Sequence, residues 1–286
     1  MNKTGIELVE CPRDAMQGWA HQIPTETKVE YLQQLLAVGF HTLDFGSFVS
    51  PKAIPQMADT RNVLAQLDLS GTTTELLAIV ANLRGAEEAA AFTGIKYLGF
   101  PFSISETFQQ RNTNSSIEQS FVTVKAIRDI CKKNGKEMVV YLSMGFGNPY
   151  GDAYSAKTVI DWAGKMAEEG ITILSLADTV GLATPQQVEN IMKEVIPAHP
   201  GITIGVHLHS APADRAEKLD AALVAGCTRF DSAIKGIGGC PMAGNTLVGN
   251  MDTEFMIAHF REKGIDIPVD NTALAKASMM AGSVFI

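Results

Sequence analysis

Short apolar runs rich in β-forming residues alternate along the chain with longer segments whose apolar positions recur at helical spacing, the pattern of parallel strands joined by helices. Eight runs read as strands: GIELVE from Gly5, HTLDFGS from His41, LLAIVAN from Leu76, KYLGFPF from Lys96, MVVYLSM from Met138, TILSLAD from Thr172, ITIGVHLHS from Ile202 and RFDSAI from Arg229. Between them, TETKVEYLQQLLAVG, AEEAAAFTG, SIEQSFVTVKAIRDICKKNG, AKTVIDWAGKMAEEG, TPQQVENIMKEV and ADRAEKLDAALVAG have helical period. Several end in the glycine favoured just past a helix C-terminus. Eight such units in 286 residues predict an α/β fold, a (β/α)8 TIM barrel, as a single domain over residues 1–286. A doubly wound sheet would place G-x-G-x-x-G after its first strand, and none stands there.

Composition narrows the partners. A hydrophobic content of 46% supplies a large core, while a net charge of −8 argues against nucleic acid or an anionic membrane as partner. Any phosphate must then be met by a few local cations. No apolar run reaches the roughly 18 residues needed to cross a bilayer, and MNKTGIELVECPRD enters a strand-like run without the features of a secretory or import leader. The expectation is a cytoplasmic protein. Cys11, Cys131, Cys227 and Cys240 are too few and too scattered for a disulfide scaffold and are read as free thiols.

In a TIM barrel the chemistry sits at the C-terminal ends of the strands, so the polar residues there are the candidates. Residues two apart in a strand share a face, so His207 and His209 of GVHLHS project together, and two imidazoles on one face invite a metal ion. An isolated H-x-H is more often a core histidine beside a surface one; here the pair ends a strand that other strand ends can join. Asp14, after strand one, and Asn250, at the end of the loop after strand eight, are the further ligands expected. Imidazole, carboxylate and amide donors suit Mg²⁺ or Mn²⁺, with Zn²⁺ as the alternative. Arg13, beside Asp14, would grip a carbonyl or carboxylate if the backbone turns there; a solvated Arg–Asp pair is the plain alternative. Asp44 and Asp178 follow apolar runs and could orient ligands, move protons or cap the next helix. The loop 235–250 holds five glycines and Cys240, which suggests a mobile lid carrying a thiol.

Together, ECPRDAMQ, SFVSPKAIPQMADT, SETFQQRNTNSSIEQSF, SLADTVGLATP, GVHLH and GIGGCPMAGNTLVGNMDTE closely resemble the 3-hydroxy-3-methylglutaryl-CoA lyase family, over about residues 5–260. SFVSPK and GGCP are the most specific pieces; PRD and HxH are shared with a wider group of metal-dependent barrels that make or break C–C bonds. The resemblance implies cleavage of a CoA thioester to acetyl-CoA and acetoacetate. It places Asp14, His207, His209 and Asn250 on the metal, Arg13 in catalysis, Asp178 as an assisting acid and Cys240 on the lid; for the chemistry so implied, His207 or Asp44 could accept the hydroxyl proton and Cys240 could supply the proton that quenches the enolate. Gln17, Ser47 and Glu254 fall on residues lining the pocket. This chain departs from the family in carrying Asp44 where glutamate is usual, SAPA in place of Asp-Thr-Tyr-Gly after the histidines, and one extra residue between Cys240 and Asn250. The alternatives are a condensing synthase that joins acetyl-CoA to a 2-keto acid and a silent CoA-binding barrel. The apolar tail VDNTALAKASMMAGSVFI is expected to pack on the barrel or on a second copy in a homodimer.

Overall fold

Eight short parallel strands close on themselves because each finds its neighbour in sequence and the last returns to the first. The structure, a computed structural model, describes residues 5–239 and 248–286. Its strands are β1 (Glu7–Glu10), β2 (Thr42–Phe48), β3 (Glu75–Val80), β4 (Ile95–Ser103), β5 (Glu137–Ser143), β6 (Ile173–Ala177), β7 (Thr203–His207) and β8 (Arg229–Ser232). They pair in that order, and β8 pairs with β1, forming the TIM barrel that the alternation predicts.

The helices are α1 (Pro12–Gln17), α2 (Thr25–Leu36), α3 (Thr60–Leu64), α4 (Leu83–Ala90), α5 (Glu106–Thr113) and α6 (Ile117–Asn134). They continue with α7 (Ala156–Glu168), α8 (Pro185–Ala198), α9 (Arg215–Val224), α10 (Thr253–Glu262) and α11 (Asn271–Val284). The six helical patterns correspond to α2, α4 and α6 to α9. Their ends follow local chemistry: Ser116 with Gln119 and Thr184 with Gln187 form capping boxes, and Pro185 opens α8. Five helices escape the pattern. α1 is a single six-residue piece tied to a strand end, and α3 is shorter still; α5 (ETFQQRNT) is too polar to show a stripe, and α10 and α11 lie beyond the repeated unit. The apolar tail becomes α11, packed on α2 with Ala277 and Ala281 buried, and the Phe285 ring lies edge-on to Trp19 at 5.3 Å and Tyr31 at 6.0 Å. Among the described residues no helix is long and apolar enough to cross a membrane.

The barrel interior is divided. Leu77, Ile79, Tyr97, Val139, Tyr141 and Ile173, from β3 to β6, form an apolar cluster. The opposite half, from β1, β2, β7 and β8, brings in Glu7, Asp44, His207, Arg229 and Asp231. Arg229 is fully buried, its Nη1 donating to Glu7 at 2.9 Å. Its neighbour in register is Gly205, where a Cβ would lie 2.9 Å from the Arg229 carbonyl oxygen and 3.0 Å from its Cβ. A side chain at 205 would displace the arginine.

Outside the barrel wall, the fully buried Glu10 joins three segments. Its carboxyl accepts the Ile234 N–H at 2.8 Å and the Thr253 hydroxyl at 2.6 Å, and that hydroxyl lies 2.9 Å from Ser232 Oγ. Burial pushes the Glu10 carboxyl up to about 8, against the hydrogen bonds from Thr253 and Ile234 that favour the carboxylate. The folded protein therefore keeps a proton that the unfolded chain gives up near the ordinary carboxylate value. That contribution to stability is complete below the ordinary value and is lost as pH rises through about 8. Glu10→Gln should flatten this decline: thermal unfolding midpoints at about pH 6 and about pH 9 will lie closer together in the variant than in the wild type.

Candidate active site

Pro12, at the first helical position, turns the chain from β1 straight into α1. That turn answers the question raised by adjacent Arg13 and Asp14, because helical geometry lets both side chains face the barrel mouth. Arg13 Nη1 donates to Asp14 Oδ1 at 3.1 Å and to Gln17 Oε1 at 2.9 Å, and Gln17 Nε2 donates to the same Asp14 oxygen at 2.9 Å. The other edge of the guanidinium grips Asp44 on β2, with Nε 3.0 Å and Nη2 2.5 Å from Oδ2. Burial works against the Arg13 charge, but Asp44 and Asp14 outweigh it and hold its pKa above the ordinary value. Burial pushes the Asp44 carboxyl up to about 6, with Arg13 pulling it down.

Across the mouth, β7 ends at His207, and His209 lies just beyond, in an antiparallel bridge with Asn250. The two imidazoles are 5.4 Å apart, centre to centre. His207 Nδ1–H donates to Asp231 Oδ2 at 3.1 Å, which leaves Nε2 as the open ring nitrogen. Burial alone would lower the His207 pKa, but the hydrogen bond to Asp231 and the charges of Asp231 and Asp14 raise it. His209 goes the other way, to about 4, through burial and its neighbour His207. Among the described residues neither His209 ring nitrogen finds a well-formed hydrogen-bond partner, a weak contact with the Thr179 main chain aside. Asp14 is held below the ordinary carboxylate value: burial opposes this, and Arg13, His207 and His209 outweigh it.

Ligand atoms of Asp14, His207 and His209 lie within 4.8 Å of one another. Asn250 adjoins them, its amide nitrogen donating to Asp14 Oδ2 at 2.9 Å and to the Ile237 carbonyl at 2.9 Å, which leaves its oxygen for an ion. An ionised carboxylate, an amide oxygen and a buried neutral imidazole are the donors a divalent cation needs. The residues therefore fit such an ion. Gly238, with φ of +98°, packs beneath: a Cβ there would lie 2.7 Å from Ala15 Cα and 2.8 Å from the Asn250 amide nitrogen.

Arg13, Asp14, Gln17, His207 and His209 line one wall of a cavity of about 430 Å³; Val49, Ile54, Ile79 and Pro101 give it an apolar side, and Arg111 stands on its border. Asp44, expected to accept a proton, instead has both oxygens closed on Arg13. Asp178 does not line the cavity. Its Oδ1 accepts the Ala183 N–H at 3.0 Å and its Oδ2 is 3.6 Å from Lys218 Nζ. Ser47 is buried in the barrel wall, its N–H donating to Thr60 Oγ1 at 3.3 Å, and Glu254 accepts the Lys235 N–H at 2.9 Å; neither lines the cavity. Cys240 and half of the expected lid, residues 240–247, lie outside the described residues. Two residues at the site were not assigned to it from the sequence, Asp231 and Cys11, the latter read only as a free thiol. Asp231 orients His207, and the buried thiol of Cys11 lies within 4.8 Å of ligand atoms of both. Alternation on β8 from Arg229 points to Asp231; nothing local points to Cys11.

A family model described as HMGL-like matches residues 7–281. The hydroxymethylglutaryl-CoA lyase YngG of Bacillus subtilis is 33% identical over 267 residues, covering 93% of this chain and 88% of that protein. The (R)-citramalyl-CoA lyase of Chloroflexus aurantiacus is 31% identical over 277 residues, covering 94% of this chain and 87% of that protein. Among solved structures, an HMG-CoA lyase from Acinetobacter baumannii in complex with coenzyme A and 3-methylmalate superposes with a TM-score of 0.91, at 28% identity over 100% of this chain and 93% of that one.

His209→Ala should lower the divalent metal retained by the purified protein, measured by elemental analysis. Metal at the wild-type level would remove His209 from the ligand set.

Proposed function

Because this chain belongs to the HMGL-like family, we propose that it is a carbon–carbon lyase that splits 3-hydroxy-3-methylglutaryl-CoA, or a close 3-hydroxyacyl-CoA, to acetyl-CoA and a keto acid, which is acetoacetate for the first substrate. The observation that carries this reading is the convergence of Arg13 and Asp14 from α1 with His207 and His209 from the end of β7 on one cavity. In the reaction the C3 hydroxyl gives up its proton, the C2–C3 bond breaks, C3 becomes a ketone, and the electron pair passes to the thioester as an enolate that is then protonated at C2.

Asp14, His207, His209 and Asn250 would hold a divalent cation, Mg²⁺ or Mn²⁺ by their donor chemistry. When bound, such an ion would supply Lewis acidity to the C3 oxygen as it passes from hydroxyl to ketone. Arg13 lies within the same cavity wall, its planar fork fixed on one edge by Asp44 and on the other by Asp14 and Gln17. It can therefore meet the thioester oxygen as negative charge grows there, without reorganising. The role of Asp44 is to orient that fork. A proton acceptor must border the cavity, which Asp44, closed on Arg13, does not, so the hydroxyl proton leaves on the His207 side. Asp231 fixes His207 with Nε2 outward, and the apolar wall of Val49, Ile54, Ile79 and Pro101 excludes water from the departing enolate.

Mg²⁺ and a panel of 3-hydroxyacyl-CoA thioesters, including the hydroxymethylglutaryl and citramalyl esters, test the assignment by release of acetyl-CoA and keto acid. Free CoA formed from acetyl-CoA and a 2-keto acid would support a synthase instead. Arg13→Met should lower kcat about 10²-fold to 10³-fold, the loss typical of one donor to a developing oxyanion, with bound metal unchanged. Near wild-type turnover would refute the role given to Arg13.

A further inference from the structure

Lys218 is a buried cation for which the reaction above has no use. Its side chain is 1% exposed, in the first turn of α9. A buried ammonium is tolerated only where acceptors compensate its lost hydration, and among the described residues Lys218 has two oxygens within 3.0 Å and a facing carboxylate at 3.6 Å, each from a different piece of the fold. Nζ donates to the His209 carbonyl oxygen at 2.8 Å, and lies 3.0 Å from Asp214 Oδ2 and 3.6 Å from Asp178 Oδ2. Asp178 directly follows β6, and its own N–H donates to the His207 carbonyl oxygen at 2.9 Å. No hydrogen bond from the described residues reaches Asp178 Oδ2, so Lys218 is its counter-charge.

These contacts close a circuit behind both histidines. The His207 main chain hangs on Asp178, the His209 main chain on Lys218, and Lys218 faces Asp178. The circuit matters most at His209, which lies beyond β7, where the bridge with Asn250 and Lys218 hold its main chain and where, among the described residues, its ring nitrogens make no well-formed hydrogen bond. Resting on the divalent-cation reading above, we propose that Lys218 is a positioning residue for the cation site, clamping the main chain of His209 and the carboxylate of Asp178 so that both imidazoles converge on Asp14. Groups behind metal ligands commonly set affinity by fixing ligand orientation.

The test is titration of metal-free protein with Mn²⁺, followed by the electron paramagnetic resonance signal of the free ion at a temperature where circular dichroism shows each variant folded. Lys218→Met should weaken the Kd by about tenfold or more, and Lys218→Arg, which keeps a charged donor, by no more than about threefold. A purely structural lysine would lower the melting temperature of Lys218→Met and leave the Kd of the folded protein unmoved; a Kd within about threefold of wild type overturns the proposal. If Lys218→Met yields no folded protein, Lys218→Gln carries the test against the same thresholds. Wild-type protein that takes up no Mn²⁺ would overturn the divalent-cation reading itself, a result distinct from a wild type that binds Mn²⁺ and a variant that binds it equally well.

Discussion

A buried guanidinium needs anions around it, and the ion pair of Arg13 with Asp44 is the contact on which the site depends. It ties α1 to β2 across the barrel mouth and fixes the plane of the guanidinium. Through Nη1 it also sets the carboxylate of Asp14, the group facing the histidines. Removing one partner of such a pair leaves an uncompensated buried charge, a loss of about 3–5 kcal/mol in comparable cases. The pair is a poor means of stabilising a barrel, since well-packed apolar residues would serve as well, and a good means of holding an arginine still.

The same division runs through the interior. The half built by β3 to β6 is packed with apolar side chains, while β1, β2, β7 and β8 bring charge inward. Asp44, Asp231 and Arg229 are each buried behind or below the mouth, and each is matched by a group of opposite charge or by a histidine. The apolar half supplies cohesion, and the charged half supplies a fixed electrostatic environment in which an ion and a developing enolate can be stabilised without solvent rearrangement. The opposite shifts of His207 and His209 belong to that environment. Asp231 and Asp14 raise the one, and burial beside the other ring lowers the second, which is thereby kept neutral, the form that binds metal.

Much of this was legible in the linear chain. Alternating apolar runs specified all eight strands, since each strand records the two faces it separates, and the order of units specified closure. Arg13, Asp14, His207 and His209 stand out by their places at strand ends and Gln17 by the family resemblance, and all five border the cavity. Five helices were missed, among them α1, because a six-residue helix is too short for periodicity to register, although it is the element that lets Arg13 and Asp14 act together.

What the sequence determined by itself was the set of local periodicities and the residue types at each strand end, because side-chain direction within a strand or helix follows from backbone geometry alone. What the tertiary structure decided was partnership. Asp44 might have faced a substrate, but closure brings Arg13 against both of its oxygens; Asp178 might have entered the cavity, but α9 carries Lys218 to its back. Asp231 gained its role only when β8 took its register beside β7. Such pairings join residues tens of positions apart, and the contact that selects among equally plausible partners exists only once the barrel has closed.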